Sequence, residues 1–299
     1  MKDIGGKVVI VTGASRGLGR AIAQTLFDHG MKVVISARSA DELAEAQKQM
    51  DRSGARSLVV PADITKPADR AALLAATRAK FGDVDVLVNN AGTDHPEFFA
   101  EADFGRIERM VDLNLVALMA MTQLVLPGMI ERHSGHVVNI ASMAGLAPIP
   151  YAAVYSATKH AVIGFSQSIR YEVAEHGVGV SVVCPGFVRD AGLYHENSAG
   201  DEKKQATVSP EAVGDAVVSA ITGDRGRVLV SPAAVKLAPL LTAVSPGLTY
   251  FASKRNGADR AMRGMASNLK KREGAKKPSS PAAPKSPRPA RPKAPTAAK

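Results

Sequence analysis

A single cysteine, Cys184, stands in a chain of 299 residues. No disulfide can form within the chain and no cysteine-rich metal site can be built, so a reducing, cytoplasmic setting and no metal centre are expected. The chain enters a β-branched run a few residues after Met1, with no basic stretch followed by an apolar one. No secretory signal is therefore expected, and the mature chain is expected to begin here. A spanning helix needs about 20 unbroken apolar residues. The apolar stretch Val228–Phe251 is broken by Pro232, Lys236, Pro239 and Pro246. It is read either as lying at a membrane interface or as packing against the body or a second subunit. Acids are scarce at the end: Lys270–Lys299 holds seven lysines and three arginines against Glu273 alone, carrying +9 of the net +10. The body is nearly neutral. With seven prolines and no apolar periodicity, that tail is expected to be disordered or extended.

What remains is an alternation. Strand-like runs at Val8–Val11, Lys32–Ser36, Ser57–Val60, Val84–Val88, His136–Ile140, Val178–Val183 and Arg227–Val230 are separated by amphipathic segments of helix length. Such a pattern predicts one α/β domain, a Rossmann-like doubly wound parallel sheet with helices on both faces. We divide the chain into a catalytic domain at 1–230, an apolar or amphipathic extension at 231–269 and the basic tail at 270–299. Ligands in such sheets lie at the carboxyl ends of the strands, near the point where strand order reverses.

The first strand-like run is followed by Gly13-Ala14-Ser15-Arg16-Gly17-Leu18-Gly19 and then by a helical segment. Strand, glycine-rich turn and helix in that order present backbone N–H groups and a positive dipole end to a phosphate. Gly13 permits the tight turn, Gly17 a close approach to pyrophosphate, and Gly19 close packing of helix on strand. Gly13-Ala14-Ser15-Arg16-Gly17 also fits the nucleophile elbow of a serine hydrolase. That elbow belongs well inside a sheet rather than on its first strand, with acid and histidine partners downstream. The histidines show no such placement; His133, His136 and His160 read as solvated or capping residues.

Tyr155 and Lys159 stand four apart in a helical stretch and so share one face. A free tyrosine has a pKa of about 10, and a nearby cation lowers it, so the pair is a candidate proton-transfer centre for an alcohol or ketone. Four further segments accompany it: Asn89-Asn90-Ala91-Gly92 at a strand end, Asn114 in the apolar helix Val111–Thr122, Ser142 after the fifth strand, and Pro185-Gly186 after the sixth.

In this order and register, these motifs resemble the short-chain dehydrogenase/reductase family over residues 4–230. The resemblance implies Tyr155 as general acid/base and Lys159 as its pKa-lowering partner and ribose ligand. It implies Ser142 as orienter of the substrate oxygen and Asn114 as anchor of a water linking Lys159 to solvent. Nucleotide contacts are implied for Gly13, Ser15, Arg16, Gly17, Leu18, Gly19, Arg38, Asp63, Ile64, Asn90, Ala91, Gly92, Tyr155, Lys159, Pro185, Gly186 and Val188. Where the family commonly has a threonine touching the nicotinamide carboxamide, this chain has Asp190. Either Asp190 accepts from the amide, or the backbone around Val188 holds the ring.

The second strand ends in Ala37-Arg38, where an NAD-preferring chain would present an acid. Arg38, with Arg16 as a second cation, is suited to a 2′-phosphate, so NADP(H) is expected over NAD(H). Leu146, Ile149, Leu193 and Tyr194, in the segments Ala144–Tyr151 and Ala191–Val208, suggest a hydrophobic carbonyl or alcohol substrate. The family resemblance implies a homodimer or homotetramer. The basic C-terminus suggests weak peripheral contact with anionic membrane, or nonspecific contact with nucleic acid. A rival reading is a nucleotide-sensing or interaction protein that keeps the fold and binds nucleic acid or acidic partners through the tail.

Overall fold

Alternate residues of the first strand, β1 (Val8–Thr12), point to opposite sides, and both sides are apolar: Val9 and Val11 enter one core, Ile10 the other. A strand buried on both faces belongs inside a sheet covered by helices on each side. The computed structural model has that arrangement and describes residues 1–147, 149–191, 193, 206–233, 235–255 and 257–276. The further strands are β2 (Lys32–Ala37), β3 (Ser57–Pro61), β4 (Val86–Asn89), β5 (Gly135–Ile140), β6 (Val178–Pro185), β7 (Phe187–Val188), β8 (Thr207–Val208) and β9 (Arg227–Val230). Seven of them form a parallel sheet in the order β3-β2-β1-β4-β5-β6-β9. All seven expected strands are present. The two-residue strands β7 and β8 pair separately and are too short for any periodicity to reveal.

The helices of the body are α1 (Gly17–Asp28), α2 (Ala40–Met50), α3 (Pro67–Phe81), α4 (Phe104–Val111), α5 (Ala117–Glu131), α6 (Ala153–Val173) and α7 (Pro210–Thr222). Ile22 and Leu26 of α1, Leu43 of α2 and Val217 of α7 cover the Val9 face. Leu73 of α3 and Met121, Val125 and Met129 of α5 cover the Ile10 face. The chain runs outward from β1 to β3 and then returns across the sheet to β4, on the other side of β1. Order reverses there, so the connections leaving β1 and β4 part and open a crevice at their carboxyl ends.

Asn114 was expected within one continuous helix. It sits instead in a π-helical turn, Asp112–Val116, between α4 and α5. Turns of this kind insert a residue into a helix and are frequent at functional sites.

Among the described residues, three α-helices follow the sheet: α8 (Ala238–Val244), α9 (Pro246–Arg255) and α10 (Ala258–Lys276). The expectation of a disordered segment from Lys270 onward is corrected at its start. Residues 270–276 continue α10, and Lys270 Nζ donates to Glu101 Oε2 at 2.6 Å. These seven residues contain no proline and several good helix formers, and they extend a helix already anchored by the buried Met262 and Met265. Residues 277–299, the rest of that tail, lie outside the described residues.

Candidate active site

A cavity of about 1260 Å³ occupies the crevice. One end is built by the turn after β1. Gly13 has φ +65°, and a Cβ there would come within 2.8 Å of Ala91 Cα. A Cβ on Gly19 would collide with Gly13 O and Asn90 Nδ2. Both glycines are therefore required by close approach of backbone to backbone. Helix α1 follows Arg16 at its N-cap, with no side-chain cap and no acid in its first turn. Its first N–H groups are the kind of donor that an anion satisfies.

Asn90 fastens this turn to β4. Its Nδ2 donates to Thr12 O (2.9 Å) and Gly13 O (3.2 Å), and its backbone N–H donates to Thr12 Oγ1 (3.0 Å). Arg38, Asp63 and Ile64 line the same end, as do Ser15, Arg16, Gly17, Leu18, Ala91 and Gly92. The Thr65 hydroxyl, donating to Asp63, holds that carboxyl below its ordinary range, and the charges of Lys66 and Arg38 add to the effect. Glu42 was not anticipated: from the first turn of α2 it accepts from Ser15 Oγ at 2.9 Å and also lines the cavity. Nothing in its local spacing distinguishes it from a solvated helix acid.

The middle of the cavity brings together the candidate proton-transfer residues Ser142, Tyr155 and Lys159. Ser142 follows β5 in extended conformation, its Oγ accepting from Ala144 N (3.1 Å) and donating to Pro185 O (3.5 Å). Tyr155 and Lys159 come from the first turns of α6, with Lys159 Nζ 5.7 Å from the centre of the Tyr155 ring. Lys159 is buried, and its Nζ donates to Ile140 O at 2.8 Å. His160 Nδ1 lies 2.8 Å from Gly145 O, which ties the loop after Ser142 to α6.

The electrostatics correct the expectation of a lowered phenol pKa. Burial pushes the Tyr155 phenol up, the Asp94 carboxylate pushes it further, and the Ser142 hydroxyl pulls only partly back. Burial brings the Lys159 ammonium down to about 8. Spacing along a helix puts the cation near the phenol, but burial of the phenol, with Asp94 close by, dominates its pKa.

Asn114 is committed structurally. Its Oδ1 accepts from Thr93 N (2.8 Å), and its Nδ2 donates to Thr93 O (2.8 Å) and Thr158 Oγ1 (3.2 Å). The side chain thus braces the turn after β4 against α6. Two residues beyond Gly92, Asp94 lines the cavity with its Oδ1 buried and without a hydrogen-bond partner. Burial raises its pKa to about 7, with Lys159 and the His95 N–H acting in the opposite sense. The sequence signal for Asp94 is an acid placed directly after a strand-end turn.

Pro185, Gly186 and Val188 line the cavity beyond β6. Asp190 does not line it; it is exposed, has φ +60°, and pairs with Arg189 at 3.6 Å.

The far end is apolar. Ile149, Phe187 and Leu193 line it together with Leu241 of α8 and Met262 and Met265 of α10. Leu146 was expected in this wall but packs under it, beside Val162 and Cys184. Tyr194 and most of the expected substrate loop lie outside the described residues. The two methionines come from more than a hundred residues downstream of Tyr155 and were not foreseen. Elsewhere, His136 is buried rather than solvated, with Nε2 2.8 Å from Ser181 Oγ, and burial lowers its pKa to about 4.

The sequence profile of the short chain dehydrogenase family matches residues 7–201. Among curated proteins, the ketoacyl reductase HetN of Nostoc sp. is 37% identical over 246 residues, covering 82% of this chain and 86% of that protein. An uncharacterized oxidoreductase of Staphylococcus saprophyticus is 36% identical over 222 residues, covering 74% and 93%. Among solved structures, a variant of actinorhodin polyketide ketoreductase with NADPH superposes with a TM-score of 0.68 at 30% identity, covering 75% of this chain and 95% of that one. A 3-ketoacyl-(acyl-carrier-protein) reductase from Brucella melitensis complexed with NADH gives 0.69 at 27% identity, covering 76% and 98%.

Proposed function

The chain belongs to the short chain dehydrogenase family and is an NAD(P)-dependent oxidoreductase; from that premise we propose that it reduces an apolar ketone or aldehyde with NADPH. One observation carries the reading: the glycine-rich turn, the Ser142–Tyr155–Lys159 group and an apolar end wall line a single cavity. The dinucleotide fits the first end, where glycines leave room for it and α1 offers uncapped N–H groups. When bound, it supplies the hydride.

The protein's own share is the proton. A phenol whose pKa is raised stays protonated at neutral pH, so Tyr155 holds the proton that a carbonyl oxygen needs on becoming an alcohol. Ser142 donates a second hydrogen bond to that oxygen as its charge grows. The Lys159 ammonium, mostly protonated near pH 7, stabilises the phenolate left behind. These roles favour reduction as the working direction.

The preference for NADPH rests on charge. Arg38 and Arg16 line the nucleotide end, and β2 ends in Ala37 rather than an acid. Of the carboxylates at this end, Glu42 accepts from Ser15 and Asp63 from Thr65. The names of the Nostoc relative and of the two solved reductases support reduction of a carbonyl. A cytoplasmic homo-oligomer is part of the same reading. The test is a panel of carbonyls and alcohols followed at the nicotinamide absorbance with each cofactor. Arg38→Ala should weaken NADPH by about 1.5–3 kcal/mol, the range for a hydrogen bond to a charged group, and spare NADH. Equal losses for both cofactors would remove the basis for the NADPH preference. No turnover with any carbonyl would remove the reductase reading.

A further inference from the structure

Half of the twelve large apolar side chains exposed among the described residues fall within the fifteen positions 237–251. Leu237, Leu240, Leu241 and Val244 recur at helical spacing and form one stripe along α8; Tyr250 and Phe251 extend it on α9. Exposure runs from 41% at Leu241 to 87% at Val244. Soluble chains scatter such residues singly, whereas a concentrated patch marks a contact surface. The stripe is also continuous with the cavity: Ala238 and Leu241 of the same helix line its apolar end.

Charge selects the occupant. Residues 231–276 hold nine lysines and arginines against Asp259 and Glu273, and residues 277–299 add six more with no acid. Lys236, Lys254, Arg255 and Arg260 are exposed within this region. Two such faces brought together would set like charges against one another, which argues against a second copy of the chain. Nucleic acid would use the cations but leave the leucine stripe in water. An anionic bilayer accommodates both, with apolar side chains entering the interface and cations facing the headgroups.

We propose that α8 and α9 form a docking surface for an anionic lipid bilayer, placing the apolar end of the cavity against the membrane. The docking stands apart from the reductase reading; entry of an apolar carbonyl from the lipid through the α8 side of the cavity rests on that reading.

The experiment is flotation of the full chain with phosphatidylglycerol–phosphatidylcholine vesicles and with pure phosphatidylcholine vesicles, at low and physiological salt. Retention should be about tenfold or more stronger on the anionic vesicles and should weaken as salt rises. Leu240→Ser/Val244→Ser, at two exposed positions outside the cavity, should lower vesicle partitioning by about tenfold or more while sparing turnover on a soluble carbonyl. No retention at low salt overturns the proposal. So does a double variant that binds as well as the parent, because the basic tail alone would then carry the binding. So does a double variant that changes oligomeric state in parallel, because a second copy would then cover the stripe. Vesicle binding without carbonyl turnover would support the docking surface and refute the reductase reading alone.

Discussion

Asp94 places a carboxyl where water is scarce, and its cost can be measured. Its Oδ1 is buried without a partner, and burial lifts the pKa from an ordinary 3.8 to about 7. At about 1.4 kcal/mol for each pH unit, that rise corresponds to about 4 kcal/mol. Solvent at the exposed edge of this half-buried residue trims the figure to about 2–4 kcal/mol. Below about pH 4 the carboxyl is protonated in both folded and unfolded chains, and nothing is lost. As pH rises from about 4 to 7 the unfolded chain ionises first, so this group's contribution to stability falls; above 7 the loss is constant. Asp94→Asn keeps the shape and removes the charge. Its own penalty for an unpaired amide does not vary with pH, so the slope isolates the ionisation. Thermal melts of the two proteins across pH 4 to 8 should show the variant gaining on the parent by about 2–4 kcal/mol, or roughly 5–10 °C, almost all before pH 7.5. Parallel pH profiles would refute the reasoning, since the carboxylate would then be solvated or paired.

Tyr155→Phe should abolish most carbonyl turnover and leave binding of the dinucleotide nearly intact in a fluorescence titration; near-normal kcat would dismiss Tyr155 as the proton donor. Gly19→Ala forces a methyl against Gly13 O and Asn90 Nδ2, which should cost about 1–3 kcal/mol of stability or cofactor affinity; unchanged calorimetry and melting would show that the turn has slack. Asn114→Ala strips the Thr93 backbone of both side-chain partners, so unfolding in urea should show a loss of about 1–3 kcal/mol and assays a lower kcat. A variant as stable and active as the parent would mean that the brace is dispensable.

Sequence alone was enough for the frame. Short β-branched runs alternating with amphipathic segments located all seven strands of the main sheet. The glycine-rich turn, the strand-end Ser142 and the pair Tyr155 and Lys159 were legible because each is a local feature, set by spacing along one strand, turn or helix. What the local pattern could not carry was anything decided by contacts between distant segments. The spacing that singles out Asn114 does not show its bonds to Thr93 and Thr158. Met262 and Met265 reach the cavity only because α10 folds back over it. Asp94 and Tyr155 show the reason most directly. Their charges depend on how much water the surrounding fold removes and on which groups share the space, quantities that one-dimensional spacing does not contain. The chain order therefore named the candidate groups, and the tertiary structure set their burial, their partners and the field they share.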